Sequence, residues 1–401
     1  MVTSRRPLGR FATALATAAA TLLVVAPGTQ AFGGPMDASG AGEAAGGVAI
    51  AARTGGGATT AWRRGSDGAL LARSVTVGGT LGTPVVVATG TTARPPAAAR
   101  VPGGTALAWT RASDDHLLVR RLGDDGSLGT TFDASGTSLS QINGQAALAA
   151  NASGRVAVAW RRPNDSEVRA RVFEIDTGPS APAVNLTATP DIALFGTNVQ
   201  VTINDAGEAA VVWHRNTDCH IIARRVTSAG AVGTQLDISG EPDSAIGDTS
   251  PTVTLRPNGD LVAGWHRDSD HHAVTRRWNA DGSAGTVVDL SPLGDVPSMA
   301  NMAISPIATG EAMAWQRGSD GHVVLASGSA SAVSALTNVS GGPSATDVPP
   351  ALARTQDDAL AVAWIAAGGT VRLAFETGVP GPDPVPPGGT APPSTPPPTA
   401  G

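Results

Sequence analysis

Apolar residues in this chain come in runs of four to eight, closed at regular intervals by Gly, Asn, Asp and Pro. The stretch around Trp265 shows the rhythm. "PTVTLRP" (Pro251–Pro257) reads as a strand and ends at Asn258-Gly259, a pair that favours tight hairpins because both residues tolerate positive φ. "DLVAGWHR" (Asp260–Arg267) is a second strand, stopped by Asp268-Ser269-Asp270. "HAVTRRWN" (His272–Asn279) is a third, stopped by Asp281-Gly282, and "TVVDLS" (Thr286–Ser291) is a fourth. Short apolar runs between such clusters are the strand signature, and past the N-terminal stretch no segment holds a helical period.

The four-strand unit recurs. Trp62, Trp109, Trp160, Trp213, Trp265, Trp315 and Trp364 form a ladder with steps of 47, 51, 53, 52, 50 and 49 residues. Repeats of about 50 residues with four strands each predict an all-β, seven-bladed β-propeller of four-stranded antiparallel blades. Second strands such as "VAVAW" (Val156–Trp160) and "ALAVAW" (Ala359–Trp364) have no polar side, as stacking on both faces requires. The last unit supplies "ALART", "ALAVAWIA" and "TVRLAFE" but no fourth strand. Near the other end, "PMDASG" (Pro35–Gly40) matches the fourth-strand phrases "FDASG" at Phe132, "LDISG" at Leu236 and "VDLSP" at Val288. The N-terminal strand is therefore expected to complete the last blade, closing the ring and leaving no open edge.

Composition adds a compartment and removes a partner class. Arg5, Arg6 and Arg10 precede an apolar run from Phe11 to Ala26 and small residues up to Ala31, the layout of a secretory signal. The run is shorter than the roughly 20 residues a membrane span needs. Residues 1–31 are expected to be the signal, 32–378 the propeller, and 379–401, "VPGPDPVPPGG…" onward from Val379, a disordered Pro-rich tail. Cleavage near Ala31 would remove three Arg from a chain of net charge −6. A mildly acidic chain without a basic cluster argues against nucleic acid as partner. The single Cys219 rules out an internal disulfide framework. All 27 basic residues are Arg, and there is no Tyr.

Candidate chemistry sits in the repeated phrase. Six units carry Trp-x-Arg-x-x-Asp: Arg64/Asp67, Arg111/Asp114, Arg162/Asp165, Arg215/Asp218, Arg267/Asp270 and Arg317/Asp320; the seventh has Ala366 and Gly369. The Asp falls in the turn, where it can cap backbone N–H groups and accept a bidentate Arg. A feature of nearly every blade is first of all mortar, so these pairs are expected to pack between blades, where loss of a buried partner costs about 3–5 kcal/mol. A second Arg recurs eleven residues after the Trp, at Arg73, Arg120, Arg171, Arg224 and Arg276. Seven residues after the Trp stand His116, His220, His272 and His322, against Ala69, Glu167 and Val371 elsewhere. Strand packing does not require these histidines. Asp114/His116, Asp218/His220, Asp270/His272 and Asp320/His322 are therefore the candidate ligand-binding turns, on the face where the links between blades also emerge.

Other chemistries lack support. Equivalent histidines in neighbouring blades, whose sheets stack about 10 Å apart, cannot share an ion whose ligands sit about 2 Å away. One blade alone offers Asp270, His271 and His272, too few for a metal site, so neither metal nor cofactor is expected. The Gly-rich runs at Gly55 and Gly103 read as hairpin turns, and Asp124-Asp125 and Asp357-Asp358 as turn acids. A sialidase-type mechanism would want a tyrosine nucleophile. No catalytic residues are proposed, and the chain is read as a non-enzyme.

"WRRGSDGALLARS", "QRGSDGHVVLAS" and "NVSGGPSATDVPPALARTQDDALAVAW" resemble the repeats of PLL-like seven-bladed β-propeller lectins, over about residues 35 to 378 by rhythm. The resemblance implies a secreted, non-catalytic protein that binds fucose-like sugars between blades, on polar turns and aromatic platforms. Aromatic candidates here are few: Phe173, Phe195, Trp278 and Phe375. The expectation is a monomeric, extracellular, glycan-binding protein without a membrane span. A scaffold for an extracellular protein partner is the second reading.

Overall fold

The computed structural model describes residues 31–377 apart from 93, 137–146, 163–164, 188–198, 241–247, 292–301, 309, 330–331 and 345–347. Residues 1–30 of the expected signal, the Pro-rich tail and Phe195 lie outside them. The described residues contain strands and turns and no helix.

Seven antiparallel sheets follow the Trp ladder. Blade one consists of Ala44–Ala52, Ala58–Arg64, Leu70–Val75 and Val85–Ala88, from the axis outward. The unit read most closely in the sequence becomes blade five, with strands Thr249–Leu255, Leu261–Arg267, His272–Trp278 and Ala284–Asp289. Innermost strands touch their neighbours in cyclic order, the last, Ala351–Arg354, returning to Ala44–Ala52. They surround an axial cavity of about 200 Å³ lined mainly by small apolar residues such as Ala98, Ala147 and Ala303.

Ring closure is as expected. Met36–Asp37 pairs antiparallel with Val371–Thr377, the third strand of blade seven, in the register Met36↔Leu373 and Asp37↔Arg372. Ala31–Phe32 continues along the same edge, opposite Thr377 and Glu376. The Ser39 hydroxyl accepts from Val371 N at 2.8 Å, and Arg372 donates to Asp37 at 2.7 Å. The first and last described strands thus meet in one sheet, and its outer edge is covered.

The Ala-Trp dipeptide, with Val212 and Gly264 in place of Ala in two blades, explains the stacking. Neighbours along a strand point to opposite faces. The Trp therefore looks toward the preceding blade, and the residue before it looks toward the following one. Trp109 packs with Ala61, Trp160 with Ala108, Trp213 with Ala159 and Trp265 with Val212. Trp364 packs with Ala314, and Trp62 completes the circle against Ala363. In blade five the seat is Gly264, where a Cβ would come within 2.7 Å of Met313 Sδ in blade six. All seven Trp are buried. Each buries a large apolar surface in a socket that only a small residue leaves open.

The second Arg adds a polar tie across the same interface. Arg120 donates from Nη1 to Val87 O of blade one at 2.9 Å and from Nε to Gly129 O of its own outer strand at 2.7 Å. Arg276 does the same to Ile238 O (3.0 Å) and Gly285 O (2.9 Å). Arg73 ties Ala38 O of the N-terminal segment at 2.9 Å to Gly82 O at 2.6 Å. One guanidinium thus serves two outer strands, satisfying carbonyls at the blade boundary.

Two stability measurements test this arrangement. Ala159→Leu should overfill the socket of Trp213 and cost about 1–3 kcal/mol in urea denaturation; an unchanged midpoint would mean that the socket is not filled. Removal of residues 31–40 should expose the edge of Val371–Thr377 and lower the melting temperature of the whole domain. A melt that stays cooperative at the full-length temperature would remove the closure from the list of stabilising features.

Candidate functional site

The turn between second and third strands is built by the Asp. Asp67 Oδ1 accepts from Ala69 N at 3.0 Å, and Asp114, Asp165, Asp218, Asp270 and Asp320 accept from the N–H two residues on at 3.0–3.3 Å. Residues just before that N–H take positive φ: Gly68, Asp115, Ser166, Cys219, His271 and Gly321, at 57–72°. The seventh turn is one residue shorter, since Ala366 N bonds Thr370 O where Arg64 N bonds Ala69 O. Thr370, and not Val371, therefore stands at the histidine position of that blade.

Each Arg of the repeated phrase clamps its own turn. Arg64 reaches Asp67 through Nε (3.0 Å) and Nη2 (2.6 Å), and Arg111 reaches Asp114 at 2.8 and 2.5 Å. Arg215, Arg267 and Arg317 hold Asp218, Asp270 and Asp320 with the same fork, while Arg162 holds Asp165 through Nη2. The hydrogen bond from the guanidinium pulls Asp67 and Asp114 down to about 2. This corrects the expectation that these pairs pack between blades. Arg-x-x-Asp spans a four-residue turn, so the two side chains meet before either can reach another sheet, and they stay partly solvated at 32% and 48% side-chain exposure for Arg64 and Asp67. Interblade mortar is instead the Trp–Ala contact and the Arg eleven residues on.

The four histidines divide. In three blades the imidazole meets a carboxylate from the outermost strand: His116 Nδ1 to Asp133 Oδ2 at 2.5 Å, His220 to Asp237 at 2.7 Å, His272 to Asp289 at 2.5 Å. Arg215 and Arg267 also approach Asp237 and Asp289, at 3.2 and 3.4 Å. Blade six has Asn338 there, and His322 Nδ1 lies instead 2.6 Å from Asp320 of its own turn. Blade three pairs Glu167 with Arg169 at 2.6 Å. Blade one has Ala69 and an exposed Val86 at the corresponding places.

Asp133, Asp237 and Asp289 were not singled out in the sequence, although the "D-x-S" phrase that carries them was seen as a strand marker. Their fixed position has a cause. Asp133 Oδ1 accepts from Gly136 N (2.9 Å) and from Ser135 Oγ (2.9 Å), and Ser135 in turn accepts from Leu117 N. Burial pushes the Asp133 carboxyl up, but the bonds from His116, Ser135 and Gly136 outweigh it and hold the group below its ordinary value. An ionised carboxylate only accepts, so His116 Nδ1 carries the proton in this pair. The result is an oriented Arg–Asp–His–Asp set in blades two, four and five. Its side chains are partly exposed, 18% for His116 and 33% for Asp133. Pairing registers put these side chains on the Trp face, turned toward the preceding blade. Links between blades emerge beside them, as Thr91 N bonds Gly68 O and Ala112 N bonds Gly90 O.

Remaining candidates fall elsewhere. Burial raises the Cys219 thiol, leaving it protonated. Phe173 and Phe375 are core residues. Trp278, at the far end of the strand that begins with His272, lines a cavity of about 320 Å³ between blades four and five with Arg225, Glu208 and Leu236. Six residues of strand separate it from the histidine, roughly 20 Å. The aromatic ring and the histidine sets therefore occupy opposite faces. Beneath the turns, one residue after the Trp, lie buried His214 and His266. Burial pulls His214 down to about 4.

No family model and no curated protein matches the chain. Among solved structures, the BP39L lectin from Burkholderia pseudomallei is similar at 15% identity, covering 82% of this chain and 98% of that one, with a TM-score of 0.60. A streptogramin B lyase is similar at 11% identity over 85% of this chain and 96% of that one, TM-score 0.53. A puromycin hydrolase variant covers 89% of this chain and 57% of its own at 18% identity, TM-score 0.50. At such identities the likeness is one of fold, shared by a lectin and by enzymes.

A pH prediction follows from His214. Its folded value lies below the unfolded one, so its contribution is intact above about pH 6.5 and is lost as pH falls toward 4. At about 1.4 kcal/mol per unit, the loss is roughly 3 kcal/mol. His214→Gln, copying Gln316 of blade six, should flatten stability between those pH values; equal acid sensitivity of both proteins would place the titrating group elsewhere.

Proposed function

We propose that this is an exported, non-catalytic glycan-binding protein that takes its ligand at the Arg–Asp–His–Asp sets of blades two, four and five. One observation carries the reading. The His–Asp pair recurs in three blades at 2.5–2.7 Å, while blades one and three build the same turn without His, so the fold does not need the set. Each offers a carboxylate pair as acceptors and an imidazole fixed by its partner, beside a guanidinium that orients the turn carboxylate. Vicinal hydroxyls of a sugar, each both donor and acceptor, match such a planar, charge-assisted array. Support also comes from the lectin among the similar folds, which bears on architecture alone. With the stacking ring on the opposite face, recognition at these sets is polar, and three weak sites on one disc gain strength through multivalent presentation.

A glycan array with the full chain, followed by titration calorimetry on the best sugar, tests this. Expected are about three sites per chain, and at least a tenfold loss of affinity in the triple variant Asp133→Asn, Asp237→Asn, Asp289→Asn with the melting temperature little changed. Silence across the array, together with capture of a specific extracellular protein, would turn the reading toward an interaction scaffold.

A further inference from the structure

A second polar cluster lies in blade five and belongs to none of the three sets. His266 is the penultimate residue of the second strand, Asp268 opens the turn and His271 is its left-handed residue, at φ 63°. Ring nitrogens of both histidines and a carboxylate oxygen of Asp268 all lie within 4.8 Å of one another. The two imidazoles stack, centroids 5.6 Å apart and planes 19° from parallel. His271 Nδ1 stands 3.7 Å from Asp268 Oδ1, beyond hydrogen-bond reach.

His266 is the informative member. It is 1% exposed. Its Nδ1 meets the Thr249 hydroxyl at 3.2 Å, but Nε2 is sealed from solvent and has no hydrogen-bond partner. A buried polar atom left without a partner costs about 1–3 kcal/mol. Thr249 meanwhile does for the ring what outer groups do for metal-bound imidazoles, engaging one nitrogen and so fixing the other. Asp268 is likewise buried, whereas the His271 side chain is 59% exposed and free to turn.

From this geometry we infer that His266, Asp268 and His271 bind one divalent transition-metal ion of the zinc class. Two imidazoles and one carboxylate suit zinc, cobalt or nickel better than calcium or magnesium, which prefer all-oxygen sites. Ligand atoms around a tetrahedral ion at about 2.0–2.1 Å stand roughly 3.3 Å apart. The stacked rings aim their lone pairs along nearly parallel planes, so binding requires the exposed His271 side chain to turn out of the stack and close its 3.7 Å gap to Asp268. Distance between blades forbids sharing an ion among equivalent histidines, but it places no limit on ligands within one hairpin. No other blade repeats the trio: the position of His271 is Gly68, Asp115, Ser166, Cys219, Gly321 or Gly369, and that of Asp268 is Gly65, Ala112, Pro163, Asn216 or Gly318 in blades with the six-residue phrase. The site is independent of glycan binding and stands or falls without it.

The test is titration of the metal-free full chain with Co²⁺, read by visible absorption, and competition with Zn²⁺. Expected are one equivalent with tetrahedral ligand-field bands, displacement by Zn²⁺, and a rise in melting temperature with Zn²⁺. The exposed substitution His271→Ala, which should fold as the parent does, and Asp268→Asn should each weaken binding at least tenfold. Asp237→Asn and Asp289→Asn should leave it unchanged. Absence of binding, affinity unchanged in His271→Ala, or loss of binding in the Asp237 or Asp289 variants would each overturn the assignment.

Discussion

The seating of one indole on the small residue of the blade before it is the contact from which the disc is made. A Trp needs a deep socket, and the only backbone that offers one at every interface is a strand whose opposing residue is Ala, Val or Gly. Because the two partners are adjacent in sequence and face opposite ways, a single dipeptide gives each blade a knob on one side and a socket on the other. Seven copies then form a heterologous ring, with Trp62 against Ala363 making the final contact. The abundance of alanine and the poverty of other aromatics follow from the same requirement.

Polar groups are layered over that apolar spine by position along the strand. Midway, an Arg serves carbonyls of two outer strands and ties adjacent blades. At the turn, an Asp organises four residues, and its Arg partner stays with it because the nearest carboxylate is three residues away. The strand Arg is present in five blades and the Arg–Asp turn in six, whereas His with the outer-strand Asp is confined to three. Variation at places that neither stacking nor turn formation constrains is where a binding surface can be written onto a repetitive frame. Blade five carries most of it, with a histidine set on the rim and a His–Asp–His trio inside the same hairpin.

Much of this was legible beforehand because it depends on neighbours in sequence. Strand runs, hairpin turns and the Trp spacing gave seven blades, and the match of "PMDASG" to other outer strands gave the closure. Asp capping of the turn also followed from local rules. The location of the Arg–Asp pairs did not, since parity along a strand says which face a side chain leaves from but not how far a flexible guanidinium bends back. Similarly, counting from the Trp puts Val371 at the histidine position, whereas the shorter seventh turn places Thr370 there.

By itself the sequence determined the period and the element types, because these follow from alternation and from the φ preferences of turn residues. Tertiary structure alone decided which polar groups meet. His116 and Asp133 are 17 residues apart and are joined only when the third and fourth strands pair. His271, beside His272 in sequence, turns away to His266 and Asp268 because left-handed backbone at the turn reverses its direction. Chemistry at these sites depends on distances across strands, and no one-dimensional pattern carries those.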